Sequence, residues 1–332
     1  MNIYATVAED IDFITPPGVV TTSGYFRSGW ARCAVGVNGN PVSGLRSLPF
    51  NAGAQTNAWL TARFIAPSPT FVESKSLIGF GLSGTNNFIG IGCDSSGTKF
   101  TLVGSNGSSY TTLATEAGTD FLGNALLRID MQLSNFGSSG TLSLYVNSAL
   151  IVTYTGNLTQ TGFTTGFDSV FIGPAVSSIF EIYCSEIVVA DSDTRGLLGL
   201  QTMALTGAGT TTSWSNNTFS NINAISYSDA SPAYTNTTAQ DQEYTVTAAT
   251  PSVFSVIAVT QSARAAIPSG STPTHLKLGY GSSGTGYFGS GSTKSPTTGF
   301  ASYTQIDQTN PITSATWTQS NLSSLQLDMQ SD

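Results

Sequence analysis

Leu126-Leu127-Arg128-Ile129-Asp130-Met131-Gln132-Leu133 decides the fold class. Leu127, Ile129, Met131 and Leu133 alternate with Arg128, Asp130 and Gln132, so one face of an extended strand is apolar and the other polar. Similar segments recur on both sides of it: Ala58 to Ala66, Ser76 to Leu82, Asn87 to Cys93, Lys99 to Gly104, Thr141 to Val146, Leu150 to Tyr154, Ser169 to Gly173 and Phe180 to Ala190. Turn residues separate them. Ser83-Gly84-Thr85-Asn86 and Asn147-Ser148 close hairpins, and Asn106-Gly107 is a tight hairpin signal. This half carries almost no apolar stripe of helical period.

Composition agrees with a β-rich, turn-rich chain. Only 9% of the 332 residues are charged, against 39% hydrophobic and 10% aromatic. Globular chains usually carry about 25% charged residues. Here Ser, Thr, Asn and 35 Gly take their place. The apolar and aromatic content excludes disorder, and long-helix architectures need the opposite composition. The length predicts one large or two medium domains.

Charge and rare residues exclude whole classes of function. Eleven Lys and Arg face 19 Asp and Glu, a net charge of -8, and the basic residues stand singly. Nucleic-acid binders need clustered cations for the phosphates, so no nucleic-acid partner is expected. His275 is the one imidazole, too few for a His-built zinc site. Cys33, Cys93 and Cys184 form no close pair and read as buried thiols of a reducing compartment. The start, MNIYATVAEDIDFI, shows no signal-peptide pattern, and no apolar run reaches the roughly 20 residues of a membrane span. Synthesis in a cytoplasm and no membrane insertion are expected.

Each candidate for chemistry has a plainer account beside it. Gly279-x-Gly281-x-x-Gly284 and Gly284-x-Gly286-x-x-Gly289 fit a phosphate-loop pattern, but no helix follows to receive a phosphate. A hairpin with glycines at positive φ is the expected structure. Gly291 to Ser295 lacks the spacing of a nucleotide loop. His275 lies in a strand-like run with no triad. Glu181 and Glu186 fall on opposite faces of a strand, not at glycosidase spacing. No catalytic constellation results, and no enzymatic activity is expected. Asp94 with Ser95, Ser96 and Gly97, or Asp191 with Asp193, offers oxygen ligands for calcium. An ordinary turn at Asp94 and pairing of Asp193 with Arg195 are the alternatives; no other cofactor is implied. Trp30, Tyr110 and Tyr154 are candidate glycan-stacking residues, with burial in a β-sandwich core as the alternative.

Two resemblances extend this reading. The runs LLRIDMQLSNFGSSGTLSLYVNSALIVTYTGNLT (126–159), FDSVFIGP (167–174) and FEIYCSEIVVADSDTRG (180–196) resemble the concanavalin A-like (laminin-G-like) jelly roll. In that family an Arg/Asp-bearing strand leads into a hairpin and a late strand returns to the sheet edge. The resemblance covers roughly residues 20–192 and implies an all-β sandwich whose loop rims often hold calcium. After Asp191-Ser192-Asp193-Thr194-Arg195-Gly196 the chain turns rich in Thr, Ser, Asn and Ala. Trp214, Phe219, Ile222, Ile225 and Tyr227 remain to anchor a second core. Strands are expected at Gln242 to Ala248, Ser252 to Ala263, His275 to Tyr280 and Gly299 to Ile306. Asn310-Pro311-Ile312-Thr313-Ser314-Ala315-Thr316-Trp317-Thr318 is similar to a stretch of tailed-bacteriophage structural proteins, with Asn310 and Ser314 where that family has Asp and Gly. That likeness covers roughly 186–328 and implies a short C-terminal helix.

Together these predict an all-β chain: a concanavalin A-like jelly-roll sandwich over 1–192, a junction over 193–205 and a second β-sandwich over 206–332. The phage resemblance implies a non-enzymatic component exposed on a virion, as a capsid decoration (cement) or tail or baseplate protein. Its partners would be other virion proteins and further copies of itself in a homo-oligomer. The alternative is a receptor-binding adhesin that recognises host surface glycans through loops of the first domain.

Overall fold

A computed structural model describes residues 1–8, 12–14, 20–21, 34–36, 45–65, 77–96, 98–118, 126–160, 163–173, 183–196, 198–217, 229–247 and 255–332. The chain divides into two compact units, one of Met1–Glu9 and Phe13–Leu200, the other of Asp10–Asp12 and Gln201–Asp332. Its described elements are β-strands apart from one short helix near the C-terminus, as the all-β reading expects.

The first unit is a sandwich of two antiparallel sheets. One sheet runs in the order β12 (Ala149–Gly156), β11 (Gly140–Val146), β10 (Leu127–Ser134), β5 (Ala58–Ile65), β14 (Tyr183–Ala190), β3 (Ala34–Gly36), β2 (Val20–Thr21), and β1 (Ile3–Val7) also pairs with β14. The other runs β4 (Leu45–Arg46), β13 (Ser169–Ile172), β6 (Ile78–Gly81), β7 (Asn87–Cys93), β8 (Phe100–Asn106), β9 (Tyr110–Thr115). Neighbours such as β5 beside β14 and β4 beside β13 are distant in sequence, the crossing pattern of a jelly roll. Inward residues of both sheets form one core, including Leu60, Phe64, Phe80, Ile89, Phe100, Ile129, Met131 and Leu144. Asn147 and Ser148 turn β11 into β12 with φ of 48° and 71°, the two left-handed residues a tight hairpin needs. Cys93 and Cys184 are both buried, and burial pushes the Cys184 thiol up; Cys33 lies outside the described residues.

The polar face of β10 departs from a solvated strand. Arg128 and Asp130 are both buried. Arg128 Nε and Nη2 donate to Asp130 at 3.1 and 3.2 Å, Nη1 donates to Gly196 O at 2.8 Å and Leu198 O at 2.9 Å, and Nη2 also donates to Thr194 O. All five guanidinium N–H groups are thereby used. Thr194 Oγ1 donates to Asp130 Oδ1 at 3.1 Å. The segment after β14 is thus fastened to the outside of the first sheet.

The second unit has a main sheet ordered β15 (Leu205–Thr212), β16 (Asp241–Val246), β24 (Gln326–Ser331), β18 (Leu276–Ser282), β19 (Thr285–Tyr287), with β20 (Thr293–Lys294) on β18. Two pairs accompany it: β17 (Val259–Ala265) with β21 (Ala301–Asp307), and β22 (Thr309–Asn310) with β23 (Ala315–Thr316). Its core gathers Tyr280, Trp317, Leu322 and Leu325. The Trp317 indole meets Tyr280 edge-on at 5.2 Å and donates to Asp307 O at 2.7 Å. Thr318 caps helix α1 (Gln319–Leu322) in a reciprocal box with Asn321. The Asn310-to-Thr318 motif therefore builds a β-turn, a core tryptophan and a cap. Half-buried Trp214 donates to Gln240 O at 2.9 Å. Phe219, Ile222, Ile225 and Tyr227 lie outside the described residues.

The chain does not finish in the helix. Gln326–Ser331 follows it as β24, paired on both sides in the middle of the sheet.

Replacing Arg128 with Ala leaves Asp130 buried without its cation and three carbonyls without donors. The expected loss is about 3–5 kcal/mol, read as a lower urea midpoint by circular dichroism. Arg128→Lys should recover little of it, because an ammonium cannot span five acceptors.

Candidate functional site

The same outer face carries the most site-like group of side chains among the described residues. Trp59 on β5 lies across from Gln132 on β10, which lies across from Ser143 on β11, which lies across from Thr153 on β12. Alternation along each strand brings Trp59, Gln132, Ser143, Tyr145 and Thr153 to one face, because Ala58, Leu60, Leu133 and Leu144 occupy the other. The Trp59 and Tyr145 rings stack across the sheet at 5.6 Å and 29°.

Arg195 lies across this pair. Its guanidinium carbon is 4.4 Å from the Tyr145 ring centre and 5.1 Å from that of Trp59, within cation–π range. Asp193 orients it: Arg195 Nε donates to Asp193 Oδ1 at 2.9 Å, and Nη2 donates to Oδ2 at 2.5 Å. Hydrogen bonds from Arg195 hold the Asp193 carboxyl below its usual range, against some burial. The Arg128 latch fixes the segment that bears both residues. Beside the rings runs a ladder of hydroxyls, Ser143 Oγ with Thr153 Oγ1 at 2.7 Å and Thr141 Oγ1 with Thr155 Oγ1 at 3.2 Å. Aromatic faces, a guanidinium, an amide and hydroxyls together can pack against the C–H face of a pyranose and bond its hydroxyls.

The residues singled out from the sequence lie elsewhere. Trp30 is outside the described residues. Tyr110 packs beside Phe88, Val103 and Phe171, and Tyr154 packs against the main core, so the two fall in separate clusters. Phe88 occupies space left by the facing pair Gly79 and Gly90, where an added Cβ would meet its ring at 2.8 Å. Glu181 is outside the described residues; Glu186 is buried on β14, 4.0 Å from Arg63 Nε. His275 precedes β18 and its ring Nδ1 lies 2.9 Å from Thr274 Oγ1. No motif pointed to Trp59, Tyr145 and Arg195, which are far apart in sequence. The alternation of β5 and β11 is the one signal that could have put the two rings on a common face.

The calcium candidates are engaged by protein donors. Asp94 accepts from Ser96 Oγ, Thr98 N and Lys99 N, as the turn reading expects. Burial opposes its ionisation, but these bonds outweigh it and hold the carboxyl below the usual range. Asp191 accepts from Asn2 N, Asn2 Nδ2 and Ser192 Oγ. Among the described residues no group of three or more His, Cys, Asp or Glu converges as a metal site.

The glycine-rich run is a hairpin. Ser283 and Gly284 form its turn, with φ of 54° and 80°. The expected positive φ is met at Gly284; Gly279, Gly281, Gly286 and Gly289 are not left-handed and are required for space. An added Cβ would come within 2.2 Å of Glu243 Oε1 at Gly281, 2.0 Å of Asp328 Oδ2 at Gly286 and 1.9 Å of Asp307 Oδ1 at Gly289.

No family model and no curated protein matches this chain. Among solved structures it is similar to the cellulose induced protein Cip1, at 11% identity and a TM-score of 0.37, over 54% of this chain and 87% of that one. The carbohydrate binding module CBM66 from Bacillus subtilis follows at 11% and 0.33, over 49% and 96%. The alginate lyase Aly36B follows at 14% and 0.33, over 53% and 88%. None of these three is a virion protein by name. The expectation that the chain is not an enzyme is withdrawn, because a β-sandwich fold does not decide between binding and catalysis.

Arg195→Ala should uncover the Trp59–Tyr145 pair with little change in stability, since exposed ion pairs contribute little. Acrylamide quenching of tryptophan fluorescence should rise while the melting temperature stays constant. Unchanged quenching would mean that the guanidinium does not cover the rings in solution.

Proposed function

We propose that the first domain binds carbohydrate on the outer face of its first sheet, around Trp59, Tyr145 and Arg195. The observation that carries this is the stacked aromatic pair beneath Arg195, flanked by a hydroxyl ladder. Neutral sugars are held by ring faces and uncharged hydrogen-bonding groups, and a chain with 9% charged residues is rich in both. The guanidinium adds a fork for a sugar carboxylate, which extends the ligand class to acidic polysaccharides.

The setting we propose comes from the resemblance of residues 186–328 to tailed-phage structural proteins. The chain would be a repeated component of a virion surface, on the capsid or the tail, whose first domain meets glycans of the host. Hydroxyl- and amide-rich surfaces suit repeated symmetric contacts that vary little with salt. Densitometry of purified particles against the major capsid protein tests the setting, and absence of the chain from them would refute it.

Affinity electrophoresis against a panel of neutral and acidic polysaccharides tests the binding. Retardation is expected for the native chain, with a loss of about tenfold in affinity for Tyr145→Ala, the order of one aromatic contact. Arg195→Ala should weaken acidic ligands more than neutral ones. Native protein that binds no polysaccharide in the panel, or a Tyr145→Ala variant that binds undiminished, would refute the site.

A further inference from the structure

The main sheet of the second domain has a core face and a polar face. Tyr244, Leu327 and Tyr280 lie across from one another on the first, and Glu243, Asp328 and Gly279 on the second. Glu243 and Asp328 are directly opposite on adjacent strands, and both are fully buried. Facing Cα atoms in such a pair are roughly 4.5–5.5 Å apart.

The surroundings close over them. Gly281 and Gly286 leave room for the two carboxyl groups, and Gly209 of β15 leaves room for the Glu243 stem. β15 bulges between Ala208 and Thr212, and the bulge forms a roof. Thr211 N donates to Glu243 Oε2 at 2.7 Å, and Thr210 N donates to Gln326 Oε1 at 2.8 Å. Glu243 Oε1 and both Asp328 oxygens have no hydrogen-bond partner of ordinary geometry.

Among the described residues no cation faces the pair. Asp241 on β16 is a third carboxylate, accepting from Gln330 Nε2 at 2.8 Å. Lys277 on β18 is held by Asp332 at 3.0 Å and Gln330 at 3.3 Å. β15 has no titratable side chain, and Tyr287 of β19 pairs with Tyr280 in the ladder. Lys294 and Asp307 interact on the core face with Gln305 and Tyr280. Arg264 of β17 is paired with Asp229 at 2.8 Å.

We propose that the Asp328 carboxyl carries a proton facing Glu243 across the ladder, and that its loss loosens the β15 roof, making the second domain a pH-sensitive latch. A protonated carboxyl is a donor, which two facing carboxylates otherwise lack between them. Two ionised carboxylates at this spacing in a dry site repel each other. Burial, then the charges of Asp241 and Glu243, push the Asp328 carboxyl up to about 7 against weaker pulls from the Met329 and Gln242 amides. The folded domain therefore holds a proton that the unfolded chain has released between about pH 4 and pH 7. Its stability is complete below that window and falls as pH rises through it, by up to about tenfold in the folding constant per pH unit. The latch is independent of carbohydrate binding in the first domain.

Hydrogen exchange of the full chain at pH 5.5 and 8, corrected for intrinsic rates, tests it. Residues 205–212 and 282–286 should lose at least tenfold of their protection at pH 8. Asp328→Asn, which keeps the shape of the protonated acid, should give equal protection at both values. Glu243→Gln, whose amide oxygen still accepts from Thr211, should move the midpoint to lower pH than native, because it removes a charge that pushes the Asp328 carboxyl up. Equal protection of the native chain at both pH values, or an Asp328→Asn chain as pH-sensitive as native, overturns the proposal. If Asp328→Asn does not fold, an unmoved midpoint in Glu243→Gln overturns it.

Discussion

Arg128 is the residue on which the arrangement of the first domain depends. A guanidinium taken out of water is costly unless each N–H finds an acceptor. Asp130 supplies two acceptors, and Thr194, Gly196 and Leu198 supply carbonyls. The requirement is mutual, because those carbonyls belong to a segment without strand partners of its own. Satisfying the cation therefore fixes the path of the chain as it leaves β14. That path sets Asp193 and Arg195 beside Trp59 and Tyr145, so the candidate sugar site follows from a structural ion pair on the strand between them.

The second domain uses glycine to solve a comparable problem. Its sheet places carboxylates on a face that the chain then covers, and side chains at Gly209, Gly281 and Gly286 would collide with them. The run that imitates a phosphate loop is thus a set of vacancies filled by Glu243 and Asp328, closed by one left-handed turn. Trp317 does the opposite work on the core face, filling space and giving its N–H to a backbone carbonyl.

Much of the first sandwich was legible in local pattern. The alternation of β10 and the hairpins at Asn106-Gly107 and Asn147-Ser148 report directly on backbone geometry. The final strand was missed, although Leu325-Gln326-Leu327-Asp328-Met329-Gln330 alternates, because a short terminal helix was expected there and an acidic residue reads as surface. Tyr110 and Tyr154 illustrate the reverse limit: an aromatic side chain has the same letter in a core and on a binding face.

Period-two patterning, turn chemistry and low charge are properties of neighbouring residues, so they established an all-β chain with its hairpins. Whether a polar strand face meets water or another part of the chain is a property of distant residues. Arg128 and Asp130 look like a solvated face until Thr194, Gly196 and Leu198 meet them, and Glu243 and Asp328 become a pair when β16 and β24 are aligned. Burial of charge, and with it the candidate site and the latch, was decided by tertiary structure, because desolvation depends on what covers a group and not on what precedes it.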